Sequence, residues 1–171
     1  MTRHRRTALI TGSGKNIGRA IALDLAGKGH NVVLNGSRDK AACEAVAREA
    51  GKLGVETLVA MGDVGLAEDC ARIAGEALGK FGMVDVLVNN AAIRPMTPFL
   101  EITQEEWDRV IAIDMSAAFW LARACLPGMI DRNWGRIVNI SSVVGTTGNP
   151  GQANYAASKA YDLFLAEALA H

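Results

Sequence analysis

The segment TALITGSGKNIG, from Thr7 to Gly18, determines how the rest of the chain is interpreted. It joins a short apolar run, 7–11, to a glycine-rich loop, and the loop leads into a segment with apolar residues at helical spacing, 17–28. An apolar run of this length followed by glycines is typical of a buried strand, and helices commonly end just before a glycine such as Gly29. The segment therefore predicts a strand, a tight loop and a helix in succession.

The same alternation of apolar strands and helical patterns continues along the chain. Further strands are predicted at 31–35, 56–61, 84–89 and 136–140, and further helices at 40–53, 66–81, 104–130 and around Tyr155. Thr103 is expected to cap the long helix, whose end should fray or kink at Pro127-Gly128. Such alternation predicts an α/β fold: one domain over residues 1–171, with a parallel, doubly wound Rossmann sheet.

The charge balance excludes several classes of partner. The 171 residues include 18 basic and 18 acidic ones, so no bulk charge attracts nucleic acid or an anionic membrane. The one local excess, Arg3-His4-Arg5-Arg6, is either a solvated terminus or a phosphate contact. No long apolar run follows it, so neither a signal peptide nor a spanning helix is expected.

Cysteine and histidine usage indicates a cytoplasmic protein without a metal. Cys43, Cys70 and Cys125 are far apart and form no CxxC pair, so reduced, buried thiols are expected. The three histidines do not cluster with cysteines or carboxylates at ligand spacing. A metal site is therefore not predicted.

The first loop has the composition of a phosphate-binding loop. Its glycines allow a tight turn and close approach of the backbone to a pyrophosphate, which a helix N-terminus favours electrostatically. Many turns contain such glycines, but the position between a first strand and a helix is the context that a dinucleotide motif requires. A P-loop is rejected, because Asn16 follows Lys15 where Ser or Thr is needed and Leu9 replaces the leading glycine.

The residues after the second strand bear on the choice of dinucleotide. An enzyme that prefers NAD would place Asp or Glu there to bind the ribose hydroxyls, but no acid precedes Asp39. Arg38 can pair instead with a 2′-phosphate, and Lys15 adds a second cation in that region. The alternative is that Arg38 is an ordinary polar loop residue. NADP is therefore predicted in preference to NAD.

A candidate catalytic pair lies near the end of the chain. Tyr155 and Lys159 are four residues apart on one face of a predicted helix, about 6 Å apart along its axis. A free tyrosine hydroxyl has a pKa near ~10, and a nearby ammonium would lower it enough to make Tyr155 a usable acid and base. Alternatively, the pair is a half-buried tyrosine and a surface lysine of an ordinary amphipathic helix.

Together these motifs resemble the short-chain dehydrogenase/reductase family over essentially the whole sequence. The resemblance rests on the glycine loop, on Asp63-Val64 and Asn89-Asn90-Ala91 after the third and fourth strands, and on Ser142 thirteen residues before Tyr155. Residues 142–159, SVVGTTGNPGQANYAASK, look most like 3-oxoacyl-[acyl-carrier-protein] reductases. The resemblance implies an NADP-dependent interconversion of a carbonyl and a secondary alcohol, and 3-oxoacyl thioesters are one candidate substrate class.

The resemblance also implies a role for each site residue. Ser142 would hydrogen-bond the substrate oxygen, Tyr155 would exchange its proton, and Lys159 would lower the pKa of Tyr155 while binding the nicotinamide ribose. The implied cofactor contacts are Gly12, Ser13, Lys15, Ile17 and Gly18 at the pyrophosphate and ribose, Ser37 and Arg38 at the 2′-phosphate, Asp63 and Val64 at the adenine, and Asn90 at the adenosine ribose. Structural alternatives stay open for several of them: a turn for Asp63, loop backbone partners for Asn89 and Asn90, and a cap for Ser142.

The sequence departs from the family pattern at three positions. Asn16 replaces the second glycine of the loop, and asparagine tolerates positive φ. Ala92 replaces the glycine of the common NNAG. Asp114 replaces a catalytic asparagine that organises a water linking the lysine to solvent. Its carboxylate either holds the same water or pairs with Lys159 and weakens the effect of Lys159 on Tyr155.

Members of the family continue beyond His171 with a sixth strand, a substrate-covering segment and a seventh strand, so the fifth strand is expected to be an exposed edge. A homo-oligomer is expected, because two helices carry more apolar residues than one sheet face needs: Ile111, Met115, Phe119 and Ala122 on the long helix, and Tyr161, Phe164 and Leu165 on the Tyr155 helix. The isolated chain is expected to self-associate and to show little turnover. The alternative function is a catalytically silent nucleotide-binding or interaction protein.

Overall fold

The computed structural model of the protein describes residues 5–170, so Arg3, His4 and His171 lie outside the described residues. The strands are β1 Thr7–Ile10, β2 Asn31–Leu34, β3 Thr57–Val59, β4 Val86–Asn89 and β5 Arg136–Asn139. The helices are α1 Asn16–Gly27, α2 Lys40–Gly51, α3 Ala67–Phe81, α4 Gln104–Ile111, α5 Ala117–Asp131, α6 Val144–Thr147 and α7 Ala153–Leu169. A 3₁₀ turn spans Phe99–Glu101, and a π-helical segment, Ala112–Ser116, joins α4 to α5.

The five strands form one parallel sheet in the order β3-β2-β1-β4-β5. The chain runs outward from β1 to one edge and then returns across β1 to the other. The carboxyl ends of β1 and β4 therefore face the point where the direction of winding reverses, which is where doubly wound sheets bind ligands. The predicted parallel, doubly wound fold is confirmed.

Alternate residues of the central strands fill two separate cores. Leu9 of β1 packs with Ile73 of α3 and Leu121 of α5 on one face of the sheet. Its neighbour Ile10 points to the other face and packs with Ala22 of α1 and Val46 of α2. This follows from the two-residue period of a strand, and it explains why the central strands read as continuous apolar runs.

The long predicted helix is a composite. Thr103 caps it as expected, since its side-chain oxygen accepts a hydrogen bond from the Glu106 N–H at 3.1 Å. The π-helical segment was not predicted. The expected fraying at Pro127 was wrong, because the helix continues through Pro127 to Asp131. Met129 is buried in this last turn, and its packing against the core offsets the loss of one backbone donor at the proline.

The composite helix, Gln104–Asp131, is long and apolar enough to cross a membrane by length and composition, a property that the sequence analysis missed. Such evidence is weak, because core helices of soluble proteins pass the same test. Here Ala118, Leu121, Cys125 and Met129 are buried within the fold itself.

The described part of the basic opening contacts the protein. Arg6 lies over the Trp134 ring, with its guanidinium carbon 3.6 Å from the ring centroid, and Arg5 donates to the Gly54 carbonyl. Both residues are nevertheless exposed, which agrees with the predicted solvated terminus.

All three cysteines are buried and free, as predicted. Burial raises the pKa of the Cys70 thiol to about 11 and that of Cys125 to about 12, which keeps both as unreactive thiols. Among the described residues no group of histidines, cysteines and carboxylates is arranged to hold a metal ion.

β5 forms one edge of the sheet, as expected. Whereas β1 and β2 are fully buried, β5 alternates between exposed and half-buried residues, and Val138 is 42% exposed. Beside it lies an apolar hollow of about 420 Å³ between the sheet and α1, and its lining includes Ile21, Leu25 and Val138.

Candidate functional site

The loop between β1 and α1 has a backbone that only certain residues can form. Gly12 has φ of 62° and Asn16 has φ of 51°, both in the left-handed region. A Cβ atom at Gly18 would overlap the Gly12 carbonyl oxygen and would lie 2.6 Å from the Asn90 side-chain nitrogen. Glycine is therefore required at position 18 by close approach. The expectation that asparagine tolerates positive φ at position 16 is confirmed.

Hydrogen bonds join this loop to the segment after β4. The Thr11 hydroxyl accepts from the N–H groups of Asn90 and Ala91, each at 2.9 Å. The Asn90 side-chain amide in turn donates to the carbonyls of Thr11 at 2.8 Å and Gly12 at 3.2 Å. The structural alternative for Asn90, a partner for loop backbone, is therefore what its amide does here, although Asn90 also lines the cleft described below.

A second set of hydrogen bonds joins the loop to the end of β2. The Ser13 hydroxyl accepts from the backbone N–H of Asn35 at 3.0 Å. The side-chain amide of Asn35, which is buried, donates to the carbonyls of Ala60 and Gly62. Ser13 is itself buried and is not among the residues that line the cleft. Its hydroxyl therefore has a structural role in fixing the loop, and its contact with a pyrophosphate stays a prediction.

A cleft of about 650 Å³ opens above the carboxyl ends of the strands. Of the predicted cofactor residues other than Tyr155 and Lys159, all but Ser13 line it: Gly12, Lys15, Ile17, Gly18, Ser37, Arg38, Asp63, Val64 and Asn90. Lys15 and Arg38 form no ion pair within residues 5–170, whereas Asp39 is engaged as the cap of α2 through the Ala42 N–H. The cleft therefore has two cations without an ion-pair partner among the described residues. The glycines of its loop have no side chains, so the space in front of the loop stays open.

Asp63 has the turn role that was one of its alternatives, together with a charged partner. Its carboxylate accepts from the Gly65 N–H at 3.0 Å and pairs with the Arg109 guanidinium from α4. Partial burial opposes ionisation of Asp63, but the bonds from Arg109 and Gly65 outweigh it and lower its pKa. Arg109 also lines the cleft, a placement that the sequence analysis did not predict.

Tyr155 and Lys159 lie on α7 and are not among the residues that line the cleft. The Lys159 Nζ lies 5.7 Å from the centroid of the Tyr155 ring and donates to the Ile140 carbonyl at 2.9 Å. Its ion pair is with Asp162, one helical turn further on, at 2.9 Å, and both side chains are almost completely buried. The alternative of a surface lysine is wrong. So is the alternative that Lys159 pairs with Asp114, because Asp162 occupies that role.

Ser142 lies where the chain leaves β5 and turns towards α7. Its hydroxyl accepts from the Val144 N–H at 3.3 Å, which is the predicted capping role. The neighbouring Ser141 donates to the Lys159 carbonyl at 2.7 Å. A Cβ atom at Gly145 would lie 2.6 Å from the Lys159 carbonyl carbon, so glycine allows α6 to pack directly on α7. These contacts place the Ser142 turn against the helix that carries Tyr155.

Asp114 lies in the π-helical segment and is buried. One carboxylate oxygen accepts from the Ile93 N–H at 2.9 Å, and the other has no hydrogen-bond partner. Burial raises the pKa of Asp114 to about 6, the Ile93 N–H and Lys159 oppose this rise, and the charge of Asp162 adds to it. Burial likewise raises the pKa of Asp162, although Lys159 favours its ionised form.

Four residues that hold the site were missed by the sequence analysis. Thr11 and Asn35 stood next to recognised motifs but had not been given a role. Arg109 had no signal in the sequence, since its partner Asp63 is far away in the chain and meets it only in the folded protein. For Asp162, the three-residue spacing to Lys159 was the one signal available.

Comparison with known proteins agrees with this geometry. Residues 6–171 match the model of the short chain dehydrogenase family. The chain is 42% identical over 157 residues to a 3-oxoacyl-[acyl-carrier-protein] reductase, FabG, of Staphylococcus epidermidis, and 40% identical over 155 residues to one of Synechocystis. These alignments cover 91% of this chain and 64% and 63% of those proteins.

A similar fold is found in the crystal structure of a metagenomic short-chain oxidoreductase in complex with NADP. It superposes with a TM-score of 0.92 and 36% sequence identity, over 96% of this chain and 75% of that one. The resemblance seen in the motifs thus extends through the fold and along nearly the whole sequence. The chain belongs to the short chain dehydrogenase family.

Proposed function

We propose that the protein is an NADP-dependent oxidoreductase that interconverts a carbonyl and a secondary alcohol. The observation that carries this proposal is the position of the buried Lys159 ammonium, 5.7 Å from the Tyr155 ring. The Tyr155 hydroxyl can exchange a proton with a substrate oxygen, and the Lys159 ammonium is the charged group beside its ring. The family and its oxidoreductase members support the same reaction class.

NADP fits the cleft better than NAD does. Gly12 and Gly18 leave a cradle at the start of α1, where backbone N–H groups favour a pyrophosphate. Lys15 and Arg38 would hold the 2′-phosphate, and Asp63, already paired with Arg109, would border the adenine. The related oxidoreductase solved in complex with NADP supports this choice.

The residues of the chain would divide the reaction between them. Bound NADPH supplies the hydride. In the reducing direction Tyr155 gives its proton to the carbonyl oxygen, Ser142 donates a hydrogen bond to the same oxygen, and Lys159 stabilises the phenolate that remains. The names of the reductases from Staphylococcus and Synechocystis favour a 3-oxoacyl thioester as substrate.

The cofactor assignment is tested by titrating NADPH and NADH against the parent and the Arg38→Ala variant. Charge-assisted contacts contribute roughly 1.5–3 kcal/mol each, so the parent should bind NADPH at least about tenfold more tightly, and the variant should lose most of that preference. Arg48→Ala, which removes an exposed cation from the last turn of α2, is the matched control. Equal affinities in the parent would show that the cofactor is assigned wrongly.

Turnover is tested with NADPH, a panel of small ketones and 3-oxoacyl thioesters, and Tyr155→Phe as the control. NADPH oxidation that disappears in the variant supports the enzyme. Tight binding without turnover in the parent supports the rival, a nucleotide-binding protein. The chain spans about 64% of the length of the relatives that it matches, so the same assay on a version extended by the downstream coding sequence is part of the test.

Self-association is part of the proposal. The side chains of Phe119 and Phe164 are 42% and 73% exposed on α5 and α7, and the edge of β5 is uncovered within the described chain. Apolar faces of this kind support a homo-oligomer. Sedimentation of the parent and of Phe164→Ser should show a dimer or larger species for the first and a smaller average mass for the second.

A further inference from the structure

A half-buried carboxylate on α4 joins three segments of the chain. One oxygen of the Glu106 carboxylate accepts from the side-chain amide of Asn154 at 3.0 Å, and the other accepts from the Thr97 hydroxyl at 2.8 Å. Glu106 lies in the first turn of α4, Thr97 follows β4, and Asn154 lies in the first turn of α7. One side chain thus fixes the segment after β4 and the start of the Tyr155 helix relative to each other.

The spacing of Thr103 and Glu106 is that of a capping box, in which the glutamate commonly turns back to the N–H of the cap residue. Thr103 does cap α4 through the Glu106 N–H. The two oxygens of the Glu106 carboxylate, however, accept from donors of other segments, one of them 48 residues away in the chain. Hydrogen bonds to an ionised acceptor are roughly twice as strong as those between neutral groups. The carboxylate therefore serves the contact with α7 rather than the end of its own helix.

Asn154 carries this contact to Tyr155. Its side-chain oxygen accepts from the Tyr155 N–H at 2.8 Å, while its side-chain nitrogen donates to Glu106. Backbone donors in the first turn of a helix have no partner within the helix, and the cap residue of α7, Gln152, provides no side-chain acceptor. Asn154 is 1% exposed, so its orientation is set by these protein partners rather than by water.

A second contact holds the turn that leads into α7. The Thr97 N–H donates to the Gly151 carbonyl at 2.9 Å, two residues before the helix begins. Gly151 has φ of 75°, and a Cβ atom there would lie 3.5 Å from the Met96 Cε. Thr97 is therefore bound through its backbone to the turn and through its hydroxyl to Glu106. The start of α7 is held against the segment after β4 at two points.

We propose that Glu106 is a positioning residue, which fixes the backbone at Tyr155 through Asn154. This inference rests on the proposed function, in which Tyr155 gives a proton to the substrate oxygen. Proton transfer needs heavy atoms about 2.6–3.2 Å apart, and a misplacement of about 1 Å can slow a reaction about a hundredfold. Glu106 is not among the residues that line the cleft, so its effect falls on the tyrosine and not on the nucleotide.

Amide exchange measured by NMR tests this contact without any turnover. In Glu106→Ala the Tyr155 N–H should exchange about tenfold faster than in the parent, because Asn154 loses the partner that orients its oxygen. The Leu163 N–H, in the middle of the same helix, should exchange as in the parent. Glu106→Gln keeps an oxygen that accepts from Asn154 and loses the charge, so it should keep most of the parental protection. An unchanged rate at Tyr155 in Glu106→Ala, or equal rates in the two variants, overturns the proposal.

Kinetics measure the consequence for the reaction. In Glu106→Ala, kcat for carbonyl reduction should fall about ten- to a hundredfold, while the Kd of NADPH stays within about twofold of the parent. Glu105→Ala is the matched control, because it removes an exposed carboxylate from the same turn of α4, and it should leave both kcat and amide exchange unchanged. A loss of NADPH affinity as large as the loss of kcat would indicate general damage to the fold and would overturn the proposal.

Asn154→Ala interrupts the same link at its other end, and it replaces Glu106→Ala if that variant does not fold by circular dichroism. It should show the same faster exchange and lower kcat, and the double variant should be no slower than Asn154→Ala alone, because both changes break one chain of bonds. Faster exchange in a protein without turnover would support the role of Glu106 in fixing Tyr155 while contradicting the proposed enzyme. Tyr155-dependent turnover that Glu106→Ala leaves unchanged would contradict the role of Glu106 alone.

Discussion

The two ends of the site are held together by different interactions. The loop between β1 and α1 is made of backbone and neutral side chains: Gly12 and Gly18 shape it, and Thr11 and Asn35 hold it by hydrogen bonds, while the cations Lys15 and Arg38 line the cleft next to it. The end that carries Tyr155 contains the buried charges Lys159, Asp162 and Asp114. Close packing governs the first, so it should respond to volume and scarcely to pH. Electrostatics governs the second, so it should respond to charge and strongly to pH.

The difference extends to the strands beneath. β1 and β2 are buried on both faces, so the nucleotide loop rises from the most rigid part of the sheet. β5, which leads to the Ser142 turn, is an edge with Val138 exposed. We therefore expect amide exchange to be slowest at the base of the nucleotide loop and faster in β5, because exposed edge hydrogen bonds open more readily.

The largest effect is expected from Gly18→Ala. The new Cβ would overlap the Gly12 carbonyl, which is backbone and cannot move without breaking the loop, so the free energy of unfolding should fall by about 2–4 kcal/mol. Nucleotide binding should weaken as well. Urea unfolding and nucleotide titration would measure the two effects.

Gly27→Ala at the end of the same helix is the control. Its Cβ would meet nothing within 4 Å, so the variant should gain about 0.5–1 kcal/mol from reduced backbone entropy of the unfolded chain. A Gly18→Ala variant as stable as the parent would show that the loop is looser than its packing indicates.

Asp114→Asn should have the second largest effect, and a pH-dependent one. The pKa of Asp114 is raised from 3.8 to about 6, so the folded state disfavours the carboxylate, and stability is lost as the pH rises from about 4 to above 6. About two pKa units correspond to about 3 kcal/mol. The variant should therefore be more stable than the parent by about 2–3 kcal/mol at pH 8 and equal to it near pH 4.

Thermal unfolding at the two pH values would measure this difference. Asp24→Asn, which removes an exposed carboxylate paired with Lys28, should change stability by less than about 0.5 kcal/mol at either pH. If Asp114→Asn destabilises the protein equally at pH 4 and pH 8, the carboxylate is a hydrogen-bonding partner only, and the electrostatic side of the comparison fails.

The two ends of the site also differ in how much of each could be predicted from the sequence. The glycine loop and the succession of strands and helices follow from local rules of chain geometry, because Gly12 and the apolar runs act on their own neighbours. The pairing of Arg109 with Asp63 depends on how α4 meets the loop after β3, and no local pattern encodes that. Lys159 and Asp162 lie three residues apart on one helix, so their pairing is local and only their burial is set by the fold. The π-helical segment was missed as well, because no local pattern in the sequence marks where a helix changes to i→i+5 hydrogen bonds.

The smallest effect is expected at Asn16, where the nucleotide loop departs from glycine. With φ of 51°, Asn16 satisfies the backbone nearly as well as glycine, so Asn16→Gly should change stability by less than about 0.5 kcal/mol, whereas Asn16→Ala should cost about 1 kcal/mol. Asn133 has the same φ in the turn after α5, so Asn133→Ala should cost about the same. Of the two alanine variants, only Asn16→Ala should also bind NADPH more weakly than the parent, because Asn16 lines the cleft. Urea unfolding and NADPH titration of the three variants would decide, and equal losses of affinity at both positions would mean that the loop is not what fixes the nucleotide.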